Sequence, residues 1–150
     1  LGLTAINVWL LTSDYPENFV ALEKEDDLKR NAPINAEFHH IILHHLDRPH
    51  ENPAFPFHMV IGDGQVYEDG KIIPTERWRK QTGSPTIDIA LAGRFTPKQQ
   101  EALLVLLDRL CFEYGISSEE VGSHFELDGF TECAHNIHTE EIRRILGPQP

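Results

Sequence analysis

Apolar positions along the chain fall into short dense runs at one end and a long helical stripe at the other. Ile41-Ile42-Leu43, within a stretch from Phe38 to Leu46, is a β-branched-rich run. It reads as a strand buried on both faces, and it ends in His44-His45. Residues 47–56 carry three prolines and read as a loop. Phe57 to Ile61 predicts a second strand, Gly62-Asp63-Gly64 a turn and Gln65 to Glu68 a third strand, so the pair is expected as a hairpin. Residues 74–85 are polar and predict a long loop. Thr86 to Ala92 is apolar enough for a central strand, closed by Gly93.

The helical stripe follows. Thr96, Pro97 and Gln99 form a helix-start signature, with a capping side chain, a proline at the first turn and the reciprocal Gln. Leu103, Leu106, Leu107, Leu110, Cys111 and Tyr114 then share one face, and Gly115 is a stop. A short strand or turn leads to Gly122-Ser123-His124. Thr139 is expected to cap a last helix carrying Ile142, Ile145 and Leu146, ended by Gly147-Pro148. Strands and helices share one core, which predicts a single α/β domain over residues 36–150. Residues 1–35 read as an N-terminal arm. Leu1 to Thr12 is mostly apolar, either a signal or anchor remnant or an arm packed on the domain. Asp14 to Glu17 offers a possible helix start, and Glu23 to Arg30 a solvated face.

Composition narrows the partners. The chain of 150 residues carries 13 Lys+Arg against 24 Asp+Glu, a formal charge of −11. That balance argues against nucleic-acid binding, which needs cations to displace phosphate counterions, and against a polybasic membrane surface. No run is long enough to span a bilayer. Two cysteines are too few for a disulfide framework. Nine histidines are many for this length, and imidazole is the commonest metal ligand.

His44 at a strand end, His124 after Gly122-Ser123, and Cys133 nine residues later are the residues of chemical interest. Two imidazoles and a thiolate suit Zn2+, and three protein ligands leave a fourth position open. The plain alternative makes His44 a hydrogen-bonded core histidine and Cys133 a small buried hydrophobe. Alternation along a strand prevents His44 and His45 from facing one site together, and His44 is preferred. His135 and His138 offer further nitrogens near Cys133, although a place at a helix start suits them better. His39 and His40 read as structural or exposed, and His50 as solvated. A Cys111–Cys133 disulfide is the rival use of the two cysteines.

From about Glu37 to Leu146 the chain resembles the zinc-dependent N-acetylmuramoyl-L-alanine amidase family, which includes phage amidase lysozymes and animal peptidoglycan recognition proteins. The resemblance rests on Ile41-Ile42-Leu43-His44-His45; on Phe57-His58-Met59-Val60-Ile61 with Gly64-Gln65-Val66-Tyr67; and on Thr86 to Phe95. It extends through the helix ending at Gly115 to Gly122-Ser123-His124 and Thr131-Glu132-Cys133, all in the family's order. Pro74 to Gln81 resembles a stretch of some bacterial members.

The resemblance implies a central mixed sheet flanked by helices, with Zn2+ held by His44, His124 and Cys133. It also implies hydrolysis of the bond between N-acetylmuramic acid and L-alanine in peptidoglycan or muropeptides. Thr131 and His58 are expected to line the site. Phe57 and Trp78 are the candidate substrate contacts, Trp78 by stacking a sugar, against plainer roles as a core residue and a loop anchor. A cell-envelope or periplasmic monomer is expected. The departures are Phe57, where active members usually carry Tyr, Ala90, where some carry Glu, Thr131, where some carry Lys, and Ala134-His135 in place of Pro-Gly. Glu76, Asp88, Glu126 and Glu132 are alternative sources of a carboxylate. The competing expectation is a peptidoglycan-binding module of the same fold that does not cut.

Overall fold

Five strands form one mixed sheet in the order β3-β2-β4-β1-β5. These are β1 (His40–Leu46), β2 (Met59–Ile61), β3 (Ile72–Pro74), β4 (Thr86–Ala92) and β5 (Val121–Ser123). The computed structural model describes residues 37–47, 56–80, 84–129, 133–134 and 136–148. The expected N-terminal arm, residues 48–55 of the Pro-rich loop with His50, and Thr131, Glu132 and His135 lie outside them. β1 lies parallel to both β4 and β5, β2 parallel to β4, and β3 antiparallel to β2. The helices are α1 (Glu76–Arg79), α2 (Pro97–Tyr114), α3 (His124–Asp128) and α4 (Thr139–Leu146), with a 3-10 turn at Ser118–Glu120. The mixed α/β architecture agrees with the sequence reading. Among the described residues, no helix is long and apolar enough to cross a membrane.

The two faces of the sheet differ, and the difference positions the site. Ile41 and Leu43 of β1, Ile87, Ile89 and Leu91 of β4, and Met59 and Ile61 of β2 enter the main core together with residues of α2 and α4. Alternation therefore sends His40, Ile42 and His44 of β1, and Thr86, Asp88, Ala90 and Ala92 of β4, to the opposite face. Among the described residues, that face carries a small cluster of Val60, Ala90 and Ala92, with Leu46 and Phe57 packed on it.

Helix α2 forms as its signature predicts. The Thr96 side chain accepts from the Gln99 N–H, the Gln99 side chain accepts from the Thr96 N–H, and Gly115 closes the helix in the left-handed region. Gln99 is fully buried, and its amide also donates to Ile61 O at 3.0 Å and Ala92 O at 2.7 Å. One side chain thus ties the helix start to the last residues of β2 and β4.

The expected hairpin is corrected. β2 pairs with β3, not with residues 65–68. The cause is a local turn: the Gly64 N–H donates to Tyr67 O at 2.8 Å, while the Asp63 carboxylate accepts from the Gln65 N–H at 3.1 Å and the Arg94 N–H at 3.0 Å. Burial alone would raise the Asp63 pKa, but these bonds hold it below the ordinary value. Gly93 follows β4 with φ +57°, and a Cβ there would lie 2.1 Å from Asp63 Oδ2, so this corner requires glycine. The expected loop at residues 74–85 contains α1, capped by Thr75. At the last helix Thr139 is the first helical residue, and His138 holds the cap position.

Candidate metal centre

His44, His124 and Cys133 come together on the polar face of the sheet. Their ligand atoms all lie within 4.8 Å of one another, and each side chain is half-buried. The three residues arrive from different directions. His44 sits near the C-terminal end of β1. His124 opens α3, whose start is fixed by the Ser123 side chain accepting from the Glu126 N–H at 3.2 Å. Cys133 lies in a turn whose carbonyl accepts from the Phe125 N–H at 3.0 Å, which locks the turn to α3. The next residue, Ala134, is buried with φ +63°. A left-handed alanine costs about 1 kcal/mol, so this turn is held by its surroundings.

The imidazole rings of His44 and His124 are 5.1 Å apart, and His44 Nδ1 lies 4.0 Å from Cys133 Sγ. Cys133 Sγ also accepts from the His45 N–H at 3.4 Å. The His45 ring points elsewhere: its Nε2 is bonded to Gly93 O at 2.5 Å and its Nδ1 lies 3.2 Å from Asp47. The preference for His44 over His45 thus agrees with the side chains' directions. No disulfide joins Cys111 and Cys133, so the rival use of the two cysteines is absent. Cys111 is in the core, where burial and then Asp108 raise its pKa to about 11.

Asp88 joins the cluster from β4. Its Oδ1 is 2.9 Å from His44 Nε2, with both side chains only 13–14% exposed. Its Oδ2 lies 3.5 Å from Arg77 and 3.5 Å from His58 Nδ1. Of the other candidate carboxylates, Glu76 pairs with Lys80 at 3.4 Å and Glu126 with Arg143 at 3.2 Å. The signal available in the sequence was a lone acid inside Thr86 to Ala92, an otherwise apolar strand. Arg77 reaches the same carboxylate from α1.

Two expectations for site residues are revised. His58 does not line the open site. It is fully buried; its N–H donates to Asp88 O at 2.8 Å, and its Nδ1 accepts from the Asp88 N–H at 2.8 Å. Burial, and then the Arg77 charge, lower its pKa to about 4, against an opposing pull from Asp88. Trp78 does not lie over a groove. Helix α1 turns it into the core, 1% exposed, stacked 5.8 Å from Phe38 and edge-on to Tyr114. Phe57 does approach the site, its ring 5.0 Å from that of His44.

An open depression of about 310 Å³ lies toward the start of β1, lined by His40, Ile42, Thr86, Gly122 and Glu126, among others; His44, His124 and Cys133 are not part of its lining. No family model, curated protein or solved structure matches this chain in comparisons with each.

Proposed function

We propose that the protein is a zinc-dependent amide hydrolase acting on the N-acetylmuramoyl-L-alanine bond of peptidoglycan or muropeptides at the cell envelope. The observation that carries the metal part is the convergence of His44, His124 and Cys133 from three separate stretches of chain. The donor set suits Zn2+, and three ligands leave a position for water or substrate. With ordinary Zn–N and Zn–S lengths, tetrahedral ligand atoms stand about 3.3–3.6 Å apart. The observed spread of up to 4.8 Å therefore needs a closure of about 1 Å. When bound, the ion supplies Lewis acidity that polarises an amide carbonyl and lowers the pKa of water.

The chain's own residues then have distinct tasks. Asp88 fixes the His44 ring, the His45 N–H supports the Cys133 sulfur, and Phe57 walls one side of His44. The substrate assignment rests on the resemblance of the sequence segments and on the resulting placement of the ligand residues.

A second reading, a recognition module that does not cut, is favoured by Phe57. The ring beside His44 has no hydroxyl to donate to a developing oxyanion. Release of free stem peptide from purified peptidoglycan, with and without a chelator, separates the two. The hydrolase reading expects release that stops on chelation and returns with zinc. Binding without release supports the module and contradicts hydrolysis.

A further inference from the structure

We infer that Asp88 is a positioning residue for the metal centre, fixing His44 in the tautomer and orientation that present Nδ1 to the ion. The inference rests on the reading that His44, His124 and Cys133 hold a metal.

The geometry divides the His44 ring in two. Nε2 faces Asp88 Oδ1 at 2.9 Å, while Nδ1 faces Cys133 Sγ at 4.0 Å. A carboxylate only accepts, so the proton of the neutral ring sits on Nε2 and the lone pair on Nδ1. Nδ1 is then the ligand atom. A ligand histidine whose other nitrogen donates to a carboxylate is better oriented and more basic, and removing such a partner typically weakens metal affinity by about 10–100-fold.

The strand register explains why this residue can act. Asp88 pairs with Ile42, and His44 pairs with Ala90, so Asp88 is the diagonal neighbour of His44 on the same face. Ala90 directly opposite has no bulk to fill the space, and the imidazole lies toward Asp88. The backbone of Asp88 is fixed from its other edge, where its N–H and C=O both bond to His58. That makes the aim of the carboxylate a property of the sheet.

The competing role is a structural ion pair with Arg77. Arg77 stands at 3.5 Å, with its side chain 38% exposed, against 2.9 Å and 13% for His44. Such a half-exposed pair contributes little.

The test is zinc affinity by competition with a chromophoric chelator, together with the 15N shifts of the His44 ring in metal-free protein. Wild type, Asp88→Asn, Asp88→Ala and Cys133→Ser are compared. Asp88→Ala is expected to bind one zinc about 10–100-fold more weakly than wild type. Asp88→Asn, whose carbonyl still accepts from Nε2–H, is expected to fall between the two. The metal-free wild type is expected to show Nε2–H, and Asp88→Ala a mixture of tautomers. Asp88→Asn keeps the comparison available if Asp88→Ala does not fold. Wild-type affinity in both Asp88 variants, or an Nδ1–H tautomer in the wild type, overturns the inference while leaving the metal site standing. A wild type that binds no zinc overturns the metal reading itself, and this inference with it.

Discussion

His58 and Asp88 divide the work of one spot on the sheet. Asp88 turns its carboxylate to the polar face, and His58 pins the same residue from the core side through two backbone contacts. Burial keeps His58 neutral, with its pKa lowered from 6.5 to about 4. In the unfolded chain it takes up a proton below about pH 6.5, whereas in the folded protein it does not. Its contribution is therefore fully present above pH 6.5 and is lost as the pH falls toward 4, by about 3 kcal/mol in all. Denaturant unfolding at pH 7.5 and 4.5 checks this. Wild type is expected to lose about 2–3 kcal/mol more than His58→Gln, whose side chain has no such proton to gain. Equal losses in the two proteins would contradict it. The sequence made His58 visible as a polar residue opening a strand, but not which face its ring would take. That depends on the pairing of β2 between β3 and β4.

Long elements were legible in the sequence, and short ones only in part: a strand was expected at β2 and a strand or turn at β5, whereas β3 and α1 were missed. β1, β4 and α2 each carry a pattern longer than one turn or one pleat, and α2 adds a capping box and a glycine stop. β2, β3 and β5 have three residues each, and α1 has four. Periodicity has too few positions to act on there, so the strand pairing was misread and Trp78 was assigned to a loop. The buried role of Gln99 was also hidden, because a capping-box Gln is ordinarily a surface residue. Its amide reaches the last carbonyls of β2 and β4, and its oxygen holds the Thr96 N–H. Gln99→Leu would strand these buried groups, at about 1–3 kcal/mol each. The expected loss by urea unfolding is about 3–5 kcal/mol, against about 1 kcal/mol for Thr96→Ala, which removes only a cap. A Gln99→Leu protein within 0.5 kcal/mol of wild type would refute the proposed tie between helix and sheet.

The whole molecule separates stability from chemistry by the two faces of its sheet. The main core, with α2 and α4, occupies one face, while His44, Asp88 and a small cluster of Val60, Ala90 and Ala92 occupy the other. The ligand set was legible as residue types at strand and turn ends, but its closeness was not, because it depends on how β1, α3 and the Cys133 turn meet. If the proposed function holds, the −11 charge disfavours broad adhesion to polyanionic walls, so binding is expected to be confined to the site. Exposed charges are screened over about 8 Å at physiological salt. Wall binding is therefore expected to hold or strengthen as salt rises, and cosedimentation that is tighter at low salt would count against site-confined contact. The central claim, a metal held by His44, His124 and Cys133, is tested most directly by elemental analysis of protein equilibrated with zinc and then dialysed. The account predicts one zinc per chain in wild type and none retained by Cys133→Ser. No zinc in the wild type, or equal retention by the variant, would contradict it.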